Sequence, residues 1–509
     1  MVGRILWRVT VDGPPALDAI GNFGAIDADE DALLRECFQS HPAYLAAKAH
    51  ERWLVLGRKG TGKTAIFKRL ITERAPELFA YGHTFDDYPW EHHDLQAQAG
   101  VPEERRYIHS WKYLILVSLA KILLNQDQSQ PWDDSVIEPL EGLENFVVDS
   151  YGSRDPDLTQ LFSPDRELRF KGAFKFGVVT VNAEKIPVRD LPTHVQDVNS
   201  FVQHAVLAAL NPEHDYYVCF DQLDLGFTID DARYSQRLVG LLLAARELSR
   251  AAKEAGKRMS VVVFLRDDIY QMLQFEDKNK ITENNVSTVQ WDRPGDALTL
   301  RALMERRFGE VFYGEGVAPW DKVFDERRTM PGRQPKYNHI CDRTFLRPRD
   351  MIKFCNEVLT AYKALHPNAA GGRFDNDVVI AAREGYSDYL LRELDDEIAK
   401  HVPNYREYLE VLKRIGNIQF TSDVFRDAWA GRPALAGDSW EEGLAALFEF
   451  SVIGYLKSGG GGGGSTYVWR YRDARARFDP SADLYRVHPG FKEALDLVQG
   501  RASAPNPTA

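Results

Sequence analysis

Residues 57–64 read Gly57-Arg58-Lys59-Gly60-Thr61-Gly62-Lys63-Thr64. They meet every fixed position of G-x-x-x-x-G-K-[ST], a pattern whose chemistry is phosphate binding. Glycines let the backbone wrap an anion closely with its N–H groups turned inward. The ammonium of Lys63 is placed to reach β- and γ-phosphates, and the Thr64 hydroxyl is suited to Mg²⁺. The candidate cradle comprises Gly57, Lys59, Gly60, Thr61, Gly62, Lys63, Thr64 and Ala65, with ATP as the default ligand and Mg²⁺ as its ion.

A phosphate-bound Mg²⁺ needs a second acidic group. Residues 216–221, YYVCFD, read as a short buried strand ending in a carboxylate, so Asp221 is the Walker-B-type candidate. Gln222 follows it, where many AAA+ enzymes carry a glutamate that polarises the attacking water. An amide cannot act as a base, and Asp224 is the nearest remaining carboxylate. Either Asp224 takes that role, or hydrolysis is slow and the chain works as a nucleotide switch. The catalytic candidates are therefore Lys63, Asp221 and Asp224, joined by Arg266 at the end of VVVFLRDDIY, where a sensor of the nucleotide would sit. A salt bridge from Arg266 to Asp267 or Asp268 is the plain alternative.

These side chains need a sheet that brings strand ends to one edge. WLVLG before the loop is apolar enough for a strand, and AIFKRL after it reads as an amphipathic helix whose N-terminal dipole favours an anion. The runs at 216–221 and 261–265 are β-branched or aromatic. The helical pattern between them closes at Gly256, which makes a strand–helix–strand unit of a parallel sheet. Residues 80–200 must hold a further core strand, ahead of HTFDDY, and otherwise read as an insertion around 95–200. His83, His92, His93 and Asp94 fit no standard metal-site spacing and read as packing or surface residues.

The 509 residues are too many for one ordinary core. Hydrophobic residues make up 44% and charged residues 27%, a globular composition, and the net charge of −12 argues against a surface that coats nucleic acid. Cys37, Cys219, Cys341 and Cys355 form no CxxC pair, which favours a reducing cytoplasm over a disulfide framework. Arg4 and Arg8 interrupt the apolar opening, so no signal peptide is expected, and no apolar run is long enough to span a membrane.

After Trp291-Asp292 the pattern turns helical. Pro348 suits the first turn of a helix, flanked by Arg347 and Arg349. Beyond residue 376, helices lead to a strand, the Gly459–Gly464 run and a second strand, an order expected of a winged helix with a glycine wing tip. Arg470, Arg472, Arg475 and Arg477 lie near Tyr467, Trp469 and Tyr471, a mixture that can grip nucleic acid. The expected division is 1–50 as an N-terminal extension, 51–292 as the core, 293–370 as a helical lid, 371–500 as a winged-helix domain, and 501–509 as a disordered tail.

Taken in order, GRKGTGKTA, FDDYPW, FDQLD, FLRDDIY, Trp291-Asp292 and FLRPRDMIKFCN resemble bacterial P-loop ATPases related to STAND and origin-recognition-type AAA+ proteins. The resemblance spans roughly 50–365. It implies an α/β P-loop NTPase core with a parallel sheet flanked by helices, a helical lid and a C-terminal winged helix. It also implies that Pro348 touches bound nucleotide, that Arg349 is a second sensor, and that nucleotide controls assembly, as a homo-oligomer or with a partner effector, in a bacterial anti-phage or stress module. The competing reading is a DNA-handling ATPase that loads or remodels through its winged helix.

Overall fold

The computed structural model describes residues 17–85, 93, 107–161, 167–169, 175–176, 179–180, 185–187, 191–224, 232–292, 298–367, 369, 371–399, 401–457, 465–473 and 475–500. These form two compact units: 40–289, and residues up to 39 together with those from 290 onward.

The 40–289 unit is built on five parallel strands: β1 (Leu54–Gly57), β2 (Leu78–His83), β3 (Asp215–Phe220), β4 (Arg258–Arg266) and β5 (Val286–Thr288). Their spatial order is β2-β3-β4-β1-β5. The expected core strand ahead of HTFDDY is β2. The chain leaves β1 for the far edge, returns through β3 and β4, and then passes to β5 on the other side of β1. Such a switch point is where open parallel sheets bind ligands, beyond the carboxyl ends of the strands. The register sets Gly57 beside Arg266 and Phe220 beside Val263, so the ends of β1, β3 and β4 share one edge.

Both sheet faces are covered, which is why the strands read as continuous apolar runs. On one face Phe264 meets Phe67 of α1 (Lys63–Thr72) edge-on, with centroids 5.8 Å apart. On the other, Phe220 meets Trp111 of α2 (Ile108–Asn125) at 5.6 Å. Helix α2 lies within the stretch expected as an insertion, yet it packs on the sheet and on α3 (Ala232–Glu254). It is buried nearly all round, as a helix without a polar face must be. Its Lys121 is satisfied by donating to Tyr81 Oη and Pro156 O, and by an ion pair with Asp155. Gly256, at φ 70°, follows α3 as read from sequence.

The second unit joins residues 17–39 to the chain beyond 290. Phe23, fully buried, packs edge-on against Phe308, Phe312 and Phe374. Arg307 is paired with Asp31 and donates to Phe23 O. Helices α4 (Pro348–Leu365) and α5 (Asn376–Ile398) pack together. Pro348 occupies the first turn of α4 as expected. Three helices follow, Tyr405–Ile415, Ser422–Ala430 and Trp440–Glu449, with Thr421 capping the second. An antiparallel sheet of four strands closes the unit: β6 (Gln419–Phe420), β7 (Ile453–Lys457), β8 (Thr466–Val468) and β9 (Tyr485–Val487), in the order β6-β9-β7-β8. The expected glycine wing tip lies outside the described residues, as does the 501–509 tail. The four cysteines are free and buried, and no described helix is long and apolar enough to cross a membrane.

Trp111 is fully enclosed, and its Nε1 donates to Arg237 O at 2.8 Å. Trp111→Ala is expected to cost about 3–5 kcal/mol of stability, read by urea unfolding.

Candidate nucleotide-binding site

The loop after β1 turns tightly. A Cβ on Gly57 would lie 2.5 Å from Thr61 Oγ1, so this position tolerates no side chain without displacing the threonine. Gly60 and Gly62 have φ of 79° and 102°, where glycine pays no steric penalty. Thr61 Oγ1 donates to Arg58 O at 2.9 Å and steadies the turn. Helix α1 then begins at Lys63. The Lys63 ammonium folds back over the loop, donating to Gly57 O at 3.0 Å and Arg58 O at 3.1 Å. Burial lowers its pKa, while the nearby charges of Asp224 and Asp221 oppose that shift.

Asp221 follows β3, its backbone N–H donating to His83 O at 3.0 Å. Its side chain is 2% exposed. Burial pushes its carboxyl up to about 6, against a hydrogen bond from Thr64 and the charge of Lys63. The other oxygen, Oδ2, has no hydrogen-bond partner. A buried carboxylate oxygen without a donor is costly, and its unused lone pairs are what a hard cation would engage. Thr64 and Asp221 therefore fit Mg²⁺, and the glycine turns with Lys63 fit a phosphate chain.

Gln222 takes φ 61°, a left-handed conformation uncommon for a non-glycine residue, and its Oε1 is buried without a partner. Asp224 stands 3.5 Å from Arg266 Nη1. Arg266 also grips Asp268 through Nε at 3.1 Å and Nη2 at 2.5 Å. Burial alone would raise the Asp268 carboxyl, yet Arg266 holds it below the usual range. Of the two sequence alternatives for Arg266, the salt bridge exists and goes to Asp268. The arginine also faces Asp224. Asp268 stands in the first turn of the helix Asp267–Met272, which follows directly on the strand end that carries Arg266. The structure thus brings together Lys63, Thr64, Asp221, Asp224 and Arg266 through contacts within one unit.

His83 Nε2 pairs with Ser118 Oγ and its ring stacks on Phe220, while His93 pairs with Ser110 and stacks on Trp111. Both histidines are built into packing. His92, Asp94 and most of FDDYPW lie outside the described residues.

Pro348 and Arg349 belong to the other unit. Arg349 donates to Ile26 O at 3.2 Å and pairs with Glu393 at 3.2 Å. Its neighbour Arg347 is 2% exposed and forks onto Asp350, with both contacts at 2.8 Å. In the basic–aromatic cluster at 467–477 the rings are largely committed, whereas Arg472, Arg475 and Arg477 are exposed. Trp469 and Tyr471 are buried and pack against His488, so their faces are not open to bases. Arg470 is paired with Glu449, and Arg472 lies over Tyr471 and 3.8 Å from Asp342. Arg475 and Arg477 enter through their backbones: Arg475 N–H donates to Asp473, and Arg477 O accepts from Tyr455.

Two predictions follow from these burial patterns. The native state binds the Asp221 proton more tightly than the unfolded chain. That contribution is present at low pH and lost as pH rises from about 4 to about 6. Asp221→Asn should therefore stabilise the ligand-free protein at pH 7.5 by about 1–3 kcal/mol, read by thermal unfolding. Arg347→Ala strands the Asp350 carboxylate in the interior and should cost about 3–5 kcal/mol, whereas Arg347→Met with Asp350→Leu recovers most of that loss in the same urea assay.

A protein-family comparison matches residues 299–395 to a FunZ-associated C-terminal helical domain. The matched segment begins just before the helix Leu300–Tyr313 and includes α4 and most of α5. No curated protein and no solved structure matches the chain. The chain thus has an α/β unit with a five-stranded parallel sheet and a C-terminal helical region, part of which is similar to that domain.

Proposed function

We propose that the chain is a P-loop ATPase related to STAND and origin-recognition-type AAA+ proteins, working as a nucleotide-controlled switch or assembly factor. The observation that carries this reading is the meeting of the Lys63–Thr64 pair with the orphaned, buried carboxylate of Asp221 at one edge of a parallel sheet. Lys63 would release the carbonyls of Gly57 and Arg58 to hold the β- and γ-phosphates. The N–H groups from Gly60 to Ala65 would line the phosphate chain. Thr64 and Asp221 would hold the cation, which when bound supplies charge neutralisation at the phosphates.

Asp224 is the carboxylate placed to accept a proton from water. It lies 3.5 Å from Arg266 Nη1. With Gln222 in the usual place of the base, turnover is expected to be slow, which suits a switch better than a motor. The helix-then-hairpin order of residues 405–468 supports a winged-helix reading of the C-terminal part. A role in a bacterial defence or stress module, with a homo-oligomer or partner effector as the output, rests on the family resemblance.

The test is ATP binding, turnover and mass measured together. Lys63→Ala should weaken ATP affinity at least ~10-fold, the loss of a charge-assisted hydrogen bond. Asp221→Asn should remove the Mg²⁺ dependence of binding. If Asp224→Ala leaves turnover unchanged, Asp224 is not the base. Brisk turnover stimulated by duplex DNA would replace the switch reading with that of a DNA-linked loader.

A further inference from the structure

The unit formed by residues 17–39 and 290–500 holds a cleft of about 620 Å³, within the size range of small-molecule sites. Its walls come from the turn at 331–335, the helix Lys336–Cys341, α5, β9 and the segment after it. Five cationic side chains line it: Arg333, Arg343, Arg383, Arg486 and Lys492. Asp342 is the carboxylate on the same wall, and Glu493 neutralises Arg343 at 2.7 Å. Among the described residues, Arg333, Arg383, Arg486 and Lys492 form no ion pair with a carboxylate. In a chain of net charge −12, a concave surface with surplus positive charge is not a product of composition.

The internal bonding keeps that surplus in place. Arg343 Nε and Arg383 Nε both donate to His339 Nε2, each at 3.1 Å. An imidazole accepting from two guanidiniums is neutral, so it fixes their positions without cancelling their charge. Burial and the charges of Arg343, Arg383 and Lys492 hold His339 down at about 3. Burial and the charge of Arg343 bring Arg383 down to about 10, with the charge of Glu493 opposing them. Arg486 lies over the Tyr467 ring at 5.6 Å, and its Nε is buried with no hydrogen-bond partner.

We propose that this cleft binds a small polyanion carrying two or more phosphate groups, a nucleoside polyphosphate or an inorganic polyphosphate, at a site separate from the loop at 57–64. Several uncompensated cations on different walls exceed the charge of one phosphate. The cleft's volume suits a small molecule, and the acidic remainder of the chain disfavours a long polyanion.

The test uses the full chain carrying Lys63→Ala, which weakens the first site, with tripolyphosphate and ATP as calorimetric probes. The parent is expected to bind tripolyphosphate with an affinity that falls as salt rises. Arg383→Ala and Lys492→Gln should each weaken it about 10-fold or more. Lys492→Gln breaks no hydrogen bond seen in the structure, so it decides the matter if Arg383→Ala lowers the melting temperature. Equal affinity for ATP and tripolyphosphate assigns recognition to the phosphate chain, and tighter ATP binding adds the nucleoside; either supports the site. Absence of binding in the Lys63→Ala chain, affinity unchanged by both cleft variants, or binding of oligonucleotide alone would overturn it.

Discussion

The candidate site depends on one constraint: a carboxylate held where water does not reach it. Asp221 could only be placed there by a strand buried on both faces, and that strand needs helices above and below. The desolvation it suffers is partly offset by Thr64 and Lys63, which belong to the loop and helix after a different strand. The pairing register of β1, β3 and β4 is what makes these groups neighbours. A slip of one residue in β3 would turn Asp221 toward a helical layer and remove it from the phosphate loop.

Much of this edge was legible in the sequence because its signals are local. The glycine spacing, the Lys63-Thr64 pair, the apolar runs ending in Asp221 and Arg266, the Thr421 cap and Pro348 at a helix start are each written within a few consecutive residues. What was not legible depends on distant parts of the chain. Helix α2 has no polar face to reveal that it lies under the sheet. Tyr467, Trp469 and Tyr471 read as a stacking platform beside arginines. Which rings are buried was decided by His488 and by Phe345, more than 100 residues away. The polyanion cleft likewise assembles cations from positions 333 to 492, none of which forms a motif on its own.

Charge is handled in two opposite ways. Arg307 with Asp31 and Arg347 with Asp350 are buried ion pairs; the first ties together segments far apart in the chain, and the second fixes the start of α4. The phosphate loop and the cationic cleft are instead left open: an orphaned oxygen at Asp221, an orphaned Nε at Arg486. Closed pairs locate the backbone, and open groups are where a ligand can gain free energy that the protein itself leaves unused.

The chain order of the two units bears on how the protein is made. The helix Pro42–Lys48 packs against β5, so the 40–289 unit begins and ends in the same place and can complete its core as soon as residue 289 is available. Residues 17–39 are synthesised first but finish last. Phe23 emerges hundreds of residues before Phe374, one of the rings that encloses it. At a synthesis rate of roughly 5–20 residues per second, that leaves an apolar segment waiting for tens of seconds. The parallel-sheet unit can thus be complete while the flanking pieces still lack the ring at position 374 that helps close their own core.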